Sequence, residues 1–390
     1  MTQTRRRFLA RGMGLASGGV FWATVVPGSV FGNAAEEVPG VEDFTPLFNG
    51  RDLTGWVPVN VAPGTFTVRE GMIISTGVPT GILRTTRHYE NFILELEWRH
   101  MRNGGNAGLF IYSEPLTAPG VPFAKSIEVQ IIDGDSPEGV WTGHGDMFSI
   151  HGARMKPDRP HPRGWERCLP SEKRAHPAGQ WNHYRVESRA GRLTLAVNGK
   201  VVSGGSDCRP RKGYVCLESE GSECHFRNLR IHELPGSNPP PGEVAGFDRG
   251  FDSLYSGVDL AGWRADAEHA GHWEAKDWIL DSDGRGPAEL RSDQEWGDCE
   301  LICDWRMKSS DGTAGLVVGP VTAGEIRLQP GNTSWTRTTV TIQGGRRTVR
   351  HGERLVADAE PLPSSVASGP VTLRHHGAPV QFANLFVRKA

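Results

Sequence analysis

From residue 43 onward, apolar and polar residues alternate one by one rather than in threes and fours. FILELEWRH (92–100), GLFIY (108–112), SIEVQII (126–132), HYRVES (183–188), RLTLAVNGKVV (192–202), GYVCLESE (213–220) and CHFRNLRIHEL (224–234) all carry this period of two. That is the period of a strand with one face buried. Clusters of Gly, Asn and Asp separate the runs, and Asn198-Gly199 is the dipeptide of a tight hairpin. Helical periodicity is almost absent. Many antiparallel strands joined by short turns predict an all-β chain built as two-sheet, jelly-roll-type sandwiches.

The pattern is written twice. Residues 46–56 read PLFNGRDLTGW and residues 253–263 read SLYSGVDLAGW, so Leu47, Gly50, Asp52, Leu53, Gly55 and Trp56 recur as Leu254, Gly257, Asp259, Leu260, Gly262 and Trp263. ENFILELEWRHM (90–101) is echoed by GDCELICDWRM (297–307), GNAGLFIY (105–112) by GTAGLVVG (312–319), and EGSECHFRNLRI (220–231) by HGAPVQFANLFV (376–387). This order predicts two tandem sandwiches, 43–234 and a divergent copy at 247–388. The Pro/Gly-rich stretch PGSNPPPGE opens a semi-rigid linker over 235–246.

The copies differ where polar chemistry concentrates. The first carries about 43 extra residues between Asp133 and Trp181, with His144, Asp146, His151, His161 and His176 inside them. A connection that long in a compact sandwich is usually functional or disordered, and it is expected to roof the sheet carrying Glu128. On the strand before it, Glu128 and Gln130 share one face, opposite Ile127, Val129 and Ile131. Glu218 and Glu220 share a face of another strand. Glu95, Glu97 and Arg99 do the same on a third, and read as a wet outer face. In the second copy Glu325 stands for Glu128, but Arg327 stands for Gln130, Arg374 for Glu218 and His376 for Glu220. Carboxylates replaced by cations reverse the charge logic of an acid/base or metal site, so only the first copy is expected to be active.

Bulk composition changes the picture in three ways. A formal net charge of −2 on 390 residues gives no reason to expect nucleic acid as partner. The six cysteines (Cys168, Cys208, Cys216, Cys224, Cys299 and Cys303) include no CxxC pair; Cys299 and Cys303 are too far apart along one strand to bond, and the spacing of Cys216 and Cys224 allows them to meet across a hairpin. Residues 1–35 read as a targeting segment. Thr4-Arg5-Arg6-Arg7-Phe8-Leu9 resembles a twin-arginine export signal, a weakly apolar stretch runs from Gly12 to Val26, and small residues follow near Gly32-Asn33-Ala34. The mature protein is therefore expected in the periplasm or secreted, with no membrane span.

Taken in order, LFNGRDLTGW, FILELEWR, GNAGLFI, EVQIID, GQWNHYRVESRAGRLTLAVNGKVV and GYVCLESEGSECHFRNLRI resemble the 3-keto-disaccharide hydrolase domain. That family is also named for 3-keto-glucoside 1,2-lyase and 3-keto-2-hydroxy-glucal hydratase activity. The likeness is motif by motif over 43–234 and looser over 247–388. It implies a concanavalin-like sandwich and a 3-keto-glycoside as sugar substrate. A ketone at C3 acidifies the proton on C2; a base removes it, the C1 oxygen leaves, and water adds back. Such a site needs a base, a proton donor for the leaving oxygen and a positive centre beside the enolate. A divalent metal ion could supply the last; no nucleotide or organic cofactor is implied.

Strand parity and the asymmetry of the copies select the candidates. Glu128, His144 and Asp146 are the catalytic candidates; with His151 they are also the candidate metal ligands. Gln130, Arg185, Glu218, Glu220 and Trp141 are candidates for sugar contact. A carbohydrate-binding module without turnover is the alternative, because lectin-like sandwiches bind sugars with similar groups. Oligomeric state is not legible.

Overall fold

The computed structural model describes residues 43–134, 143–329, 333–363 and 368–390. Strands dominate it, and only short 3-10 turns, such as Pro241–Glu243, interrupt them. The alternation does what its period demands. Along Phe92–His100 the residues Phe92, Leu94, Leu96 and Trp98 point into the core, while Glu95, Glu97 and Arg99 point out. Each large inward side chain contributes about 1.5–3 kcal/mol on burial.

Residues 45–233 form two antiparallel sheets. The larger runs Arg154–Pro157, Lys200–Arg209, Arg192–Val197, Asn182–Arg189, Phe92–His100, Cys224–Glu233, Met72–Ser75 and Phe66–Arg69, with Thr45–Pro46 joined to Cys224–Glu233. The other runs Arg167–Cys168, Met147–Ile150, Ser126–Ile132, Asn106–Ser113, Tyr214–Ser219, Gly81–Thr85 and Trp56–Val59. Leu109, Ile111, Ile127, Val129 and Ile131 of this sheet meet Phe92, Leu94, Leu96 and Trp98 of the first in one core. Residues 252–389 make a second pair of antiparallel sheets around Trp273, Leu301, Trp305, Leu316, Leu373 and Phe382. The repeated opening closes the same loop in both places: Trp56 Nε1 donates to the Leu47 carbonyl at 2.8 Å, and Trp263 Nε1 to that of Leu254 at 2.7 Å.

Two expectations are corrected. The long insertion is not only a roof, because its described part extends both sheets. Met147–Ile150 and Arg167–Cys168 add an edge to the smaller sheet and Arg154–Pro157 an edge to the larger one. Strands this short pair through the backbone and leave no readable alternation. The linker stretch is held against the first sandwich. Ser237 N–H donates to Glu90 at 2.9 Å, Glu243 binds Arg211 at 2.6 Å, and Ala245 N–H bonds the Lys212 carbonyl at 2.8 Å. Finally, all six cysteines are free and buried. Cys216 and Cys224 belong to different sheets, so no hairpin brings them together.

Candidate active site

The outward face of the seven-stranded sheet is divided. Val59, Ile82, Phe110, Tyr214 and Cys216 pack with Phe386 of the second sandwich, helped by Phe251 and Ile302. The remainder is a cleft of about 310 Å³ lined by Asn106, Phe123, Glu128, Gln130, Phe148, His151, Arg167, Glu218 and Glu220, among others.

Beneath the Glu128 and Glu218 carboxyl groups lies Gly108. The Asn106–Ser113 strand runs between Ser126–Ile132 and Tyr214–Ser219, so Gly108 lies between the Glu128/Gln130 row and the Glu218 row. A Cβ there would stand 2.7 Å from Glu218 Oε2 and 3.1 Å from Glu128 Oε1. The missing side chain is what lets the two carboxyl groups lean over one point. Glu128 is flanked across the sheet by Phe110 and Phe148, and only 6% of it is exposed. Burial, reinforced by the charge of Glu220 and opposed by that of Arg167, pushes its carboxyl up to about 8. Glu218 is driven well above the carboxylate range, first by burial and then by Glu128 and Glu220. Its Oε2 is buried and accepts no hydrogen bond from the described residues. Glu220 is raised by burial and by Asp277, while a hydrogen bond from Asn106 opposes this.

One polar chain borders these acids. Asp146, fully buried, holds Arg167 Nε at 2.5 Å. Arg167 Nη2 donates to Gln130 Oε1 at 3.2 Å, and Gln130 Nε2 donates to Asn106 Oδ1 at 2.9 Å. Asn106 in turn donates to Glu220. The guanidinium lies 3.7 Å over the Phe148 ring. His151 stands at the rim, stacked on Phe123 with ring centroids 6.2 Å apart, and burial lowers its affinity for a proton.

Glu128, Gln130, Glu218, Glu220 and His151 thus line one cleft. Asp146 stands behind Arg167 rather than in the cleft. His144 Nε2 accepts the Ala175 N–H at 3.3 Å, and His144 is not among the lining residues. The four metal-ligand candidates therefore do not assemble. Among the described residues no three His, Cys, Asp or Glu side chains converge as a metal-binding group. Arg185 is corrected: it lies on the other sheet, 2.7 Å from Glu95. Trp141 lies outside the described residues. Arg167, Asn106 and Gly108 were not read as site residues. The last two stand in the GNAGLF run, two apart as one strand face requires, whereas the two-residue Arg167 strand carries no period.

A larger hollow of about 500 Å³ on the opposite sheet is lined by Glu95, Glu97, His183 and Arg230, among others. Despite burial, hydrogen bonds from Arg230 and Arg185 hold Glu95 below its ordinary range, and Arg227 does this for Glu97. These are ion pairs that keep a sheet face soluble, not poised acids. The second sandwich offers a sharper contrast. Gly315 pairs with Arg327 and Arg374, as Gly108 pairs with Gln130 beside Glu218. There Glu325 is met by Arg374 at 3.1 Å and His376 at 2.9 Å, and despite burial these two hold it below the usual carboxylate range.

Among solved structures, a chain described as a "putative glycosyl hydrolase" from Parabacteroides distasonis is 24% identical with a TM-score of 0.39, over 50% of this chain and 95% of that one. The carbohydrate-binding module CBM66 from Bacillus subtilis is 12% identical with a TM-score of 0.33, over 46% and 96% respectively. Likeness at this level says nothing of activity or ligand. No curated protein matches the chain. Residues 43–232, the part that holds the cleft, match the model of the 3-keto-alpha-glucoside-1,2-lyase-like domain.

Proposed function

We propose that the cleft over Gly108 is the active site of a carbohydrate-active lyase/hydrolase that cleaves 3-keto-glycosides, and that 247–388 is a divergent copy without that site. The observation that carries this is the pair Glu128 and Glu218 meeting over a glycine, both pushed up by burial and by neighbouring carboxyl charge. Two carboxyl groups so placed do not both ionise, and they divide into an acid and a base. Arg167 favours the charged form of Glu128, whereas burial and like charges alone act on Glu218. Glu128 is therefore the base that takes the C2 proton, and Glu218 the acid that protonates the departing C1 oxygen. Arg167, aimed by Asp146 and Gln130, offsets the charge of the enolate. Water then adds at C1, and the sum is hydrolysis. No step is routed through a metal ion, because the candidate ligands do not converge.

Export through the amino-terminal arginine signal belongs to the same proposal; sequencing the amino terminus of periplasmic protein checks it. The reaction is tested by product release from a 3-keto-glucoside beside the unoxidised glucoside, with and without a chelator. Release from the keto sugar alone, resistant to chelation, is expected. Glu128→Gln should lower it by about 10²–10⁴-fold and leave the far-UV circular dichroism unchanged. Binding of either sugar without turnover would instead make the protein a carbohydrate-binding module.

A further inference from the structure

The second sandwich has lost the carboxyl pair, yet its buried polar groups are turned toward the first. Asp304 and Asn384 are both fully buried. Asp304 pairs with Arg337 at 2.7 Å and accepts the Gly120 N–H at 2.8 Å. Asn384 Nδ2 donates to the carbonyls of Ala118 and Val121, both at 3.0 Å, and Arg337 Nη2 donates to that of Thr117 at 2.9 Å. Trp335 closes over the same place: a Cβ at Gly120, whose φ is +70°, would lie 2.2 Å from its ring. Four side chains of the second sandwich thus grip one loop, the connection between Asn106–Ser113 and Ser126–Ile132.

That loop ends in the cleft wall. Ala118 N–H donates to the Phe123 carbonyl at 2.8 Å, so the gripped turn and Phe123 are joined by one bond. The Phe123 ring lines the cleft, stacks on His151 and meets Phe110 edge-on at 5.9 Å. A second grip lies across the sheet. Asp277 accepts from the Thr80 N–H at 2.6 Å and from its hydroxyl at 2.7 Å. Thr80 precedes the strand paired with Tyr214–Ser219, in register with Ser219 opposite Gly81, so this grip stands beside Glu220.

We propose that the second sandwich is a positioning element of the first sandwich's cleft. Asp304, Arg337, Asn384 and Trp335 fix the Phe123–His151 wall, and Asp277 fixes the Glu220 end. This explains why a copy without the carboxyl pair stays packed on the face that holds it. The kinetic part rests on the proposed activity; the structural part does not.

The test uses the full chain with Asp304→Asn, Trp335→Ala and Asp277→Ala. Two readouts are independent of turnover: amide hydrogen exchange over 117–125, and the rate of carbodiimide labelling of Glu128, Glu218 and Glu220. The first two variants should speed exchange in the loop by tenfold or more and raise labelling of Glu128. Asp277→Ala should raise labelling of Glu220 and leave the loop protected. On a 3-keto-glucoside the loop variants should lower kcat/KM about tenfold, mostly through KM, with the overall fold intact by circular dichroism. Unchanged exchange and labelling in folded variants would overturn the proposal. So would a loosened loop with wild-type kcat/KM. If the wild type turns over nothing, exchange and labelling still decide the positioning role, and only the proposed activity falls. Should Asp304→Asn not fold, Trp335→Ala and Asp277→Ala answer the same question from half-buried and exposed positions.

Discussion

Glu218 shows how much one residue's surroundings decide. Its neighbours by parity, Val215 and Leu217, face the core, and it faces out into a space closed by Glu128 and Glu220. The folded protein holds its proton far more tightly than an unfolded chain does, because burial and like charges penalise the ion. The sign follows: the contribution to stability is fully present below the unfolded value, near pH 4.5, and is lost as pH rises toward the folded one. Glu218→Gln does not titrate. Its melting temperature should match wild type near pH 4.5 and exceed it by a few degrees, ~4 °C, by pH 8. Melts followed by circular dichroism across that range check this; a gap that narrows with rising pH would contradict it. Parity paired Glu128 with Gln130 and Glu218 with Glu220, and all four line the cleft. Parity says nothing of how far a side chain reaches, and so could not choose among the histidines.

At the scale of elements, the edge strands Met147–Ile150 and Arg167–Cys168 carry Arg167, the one Arg or Lys among the described residues that lines the cleft of the acid pair. Glu166 ties this edge together: it accepts from Ser149 Oγ at 2.8 Å, Arg154 at 2.6 Å and Met155 N–H at 3.3 Å. Glu166→Ala should cost about 1 kcal/mol in denaturant melts and raise amide exchange at 147–155, with Ser126–Ile132 still protected. The same edge explains a misreading of the sequence. A segment rich in Pro, Arg and His, with strands of two and four residues, has no window in which a period can show. Its backbone nevertheless completes both sheets, and that is how Arg167 enters the cleft unannounced.

At the scale of the whole molecule, the sandwiches form one body through Phe386, Phe251 and Ile302 on one side and Val59, Ile82, Phe110 and Tyr214 on the other. Arg84 adds an ion pair to Asp248 at 2.7 Å. All six cysteines are inside this body as thiols. Burial raises Cys208 and Cys216 to about 12, where almost no reactive thiolate exists at neutral pH. A thiol reagent should therefore label none of them in the native protein and all six in denaturant. Fewer than six in denaturant, without reductant, would show a disulfide.

By itself the sequence determined the strands, the inward and outward faces, the written-twice opening and the loss of carboxylates from its second appearance. Each of these follows from a local rule of backbone geometry: side chains alternate across a strand, and turns need Gly, Asn or Asp. Tertiary structure alone decided which outward carboxyl groups are buried together in a cleft and which are neutralised in ion pairs. Glu95 and Glu128 both fall on outward positions of their strands, but Arg185 and Arg230 neutralise one, while Phe110, Phe148 and Glu220 surround the other. That difference is one of desolvation and of charge at short range. Both depend on residues distant in sequence, and only the folded chain brings them together.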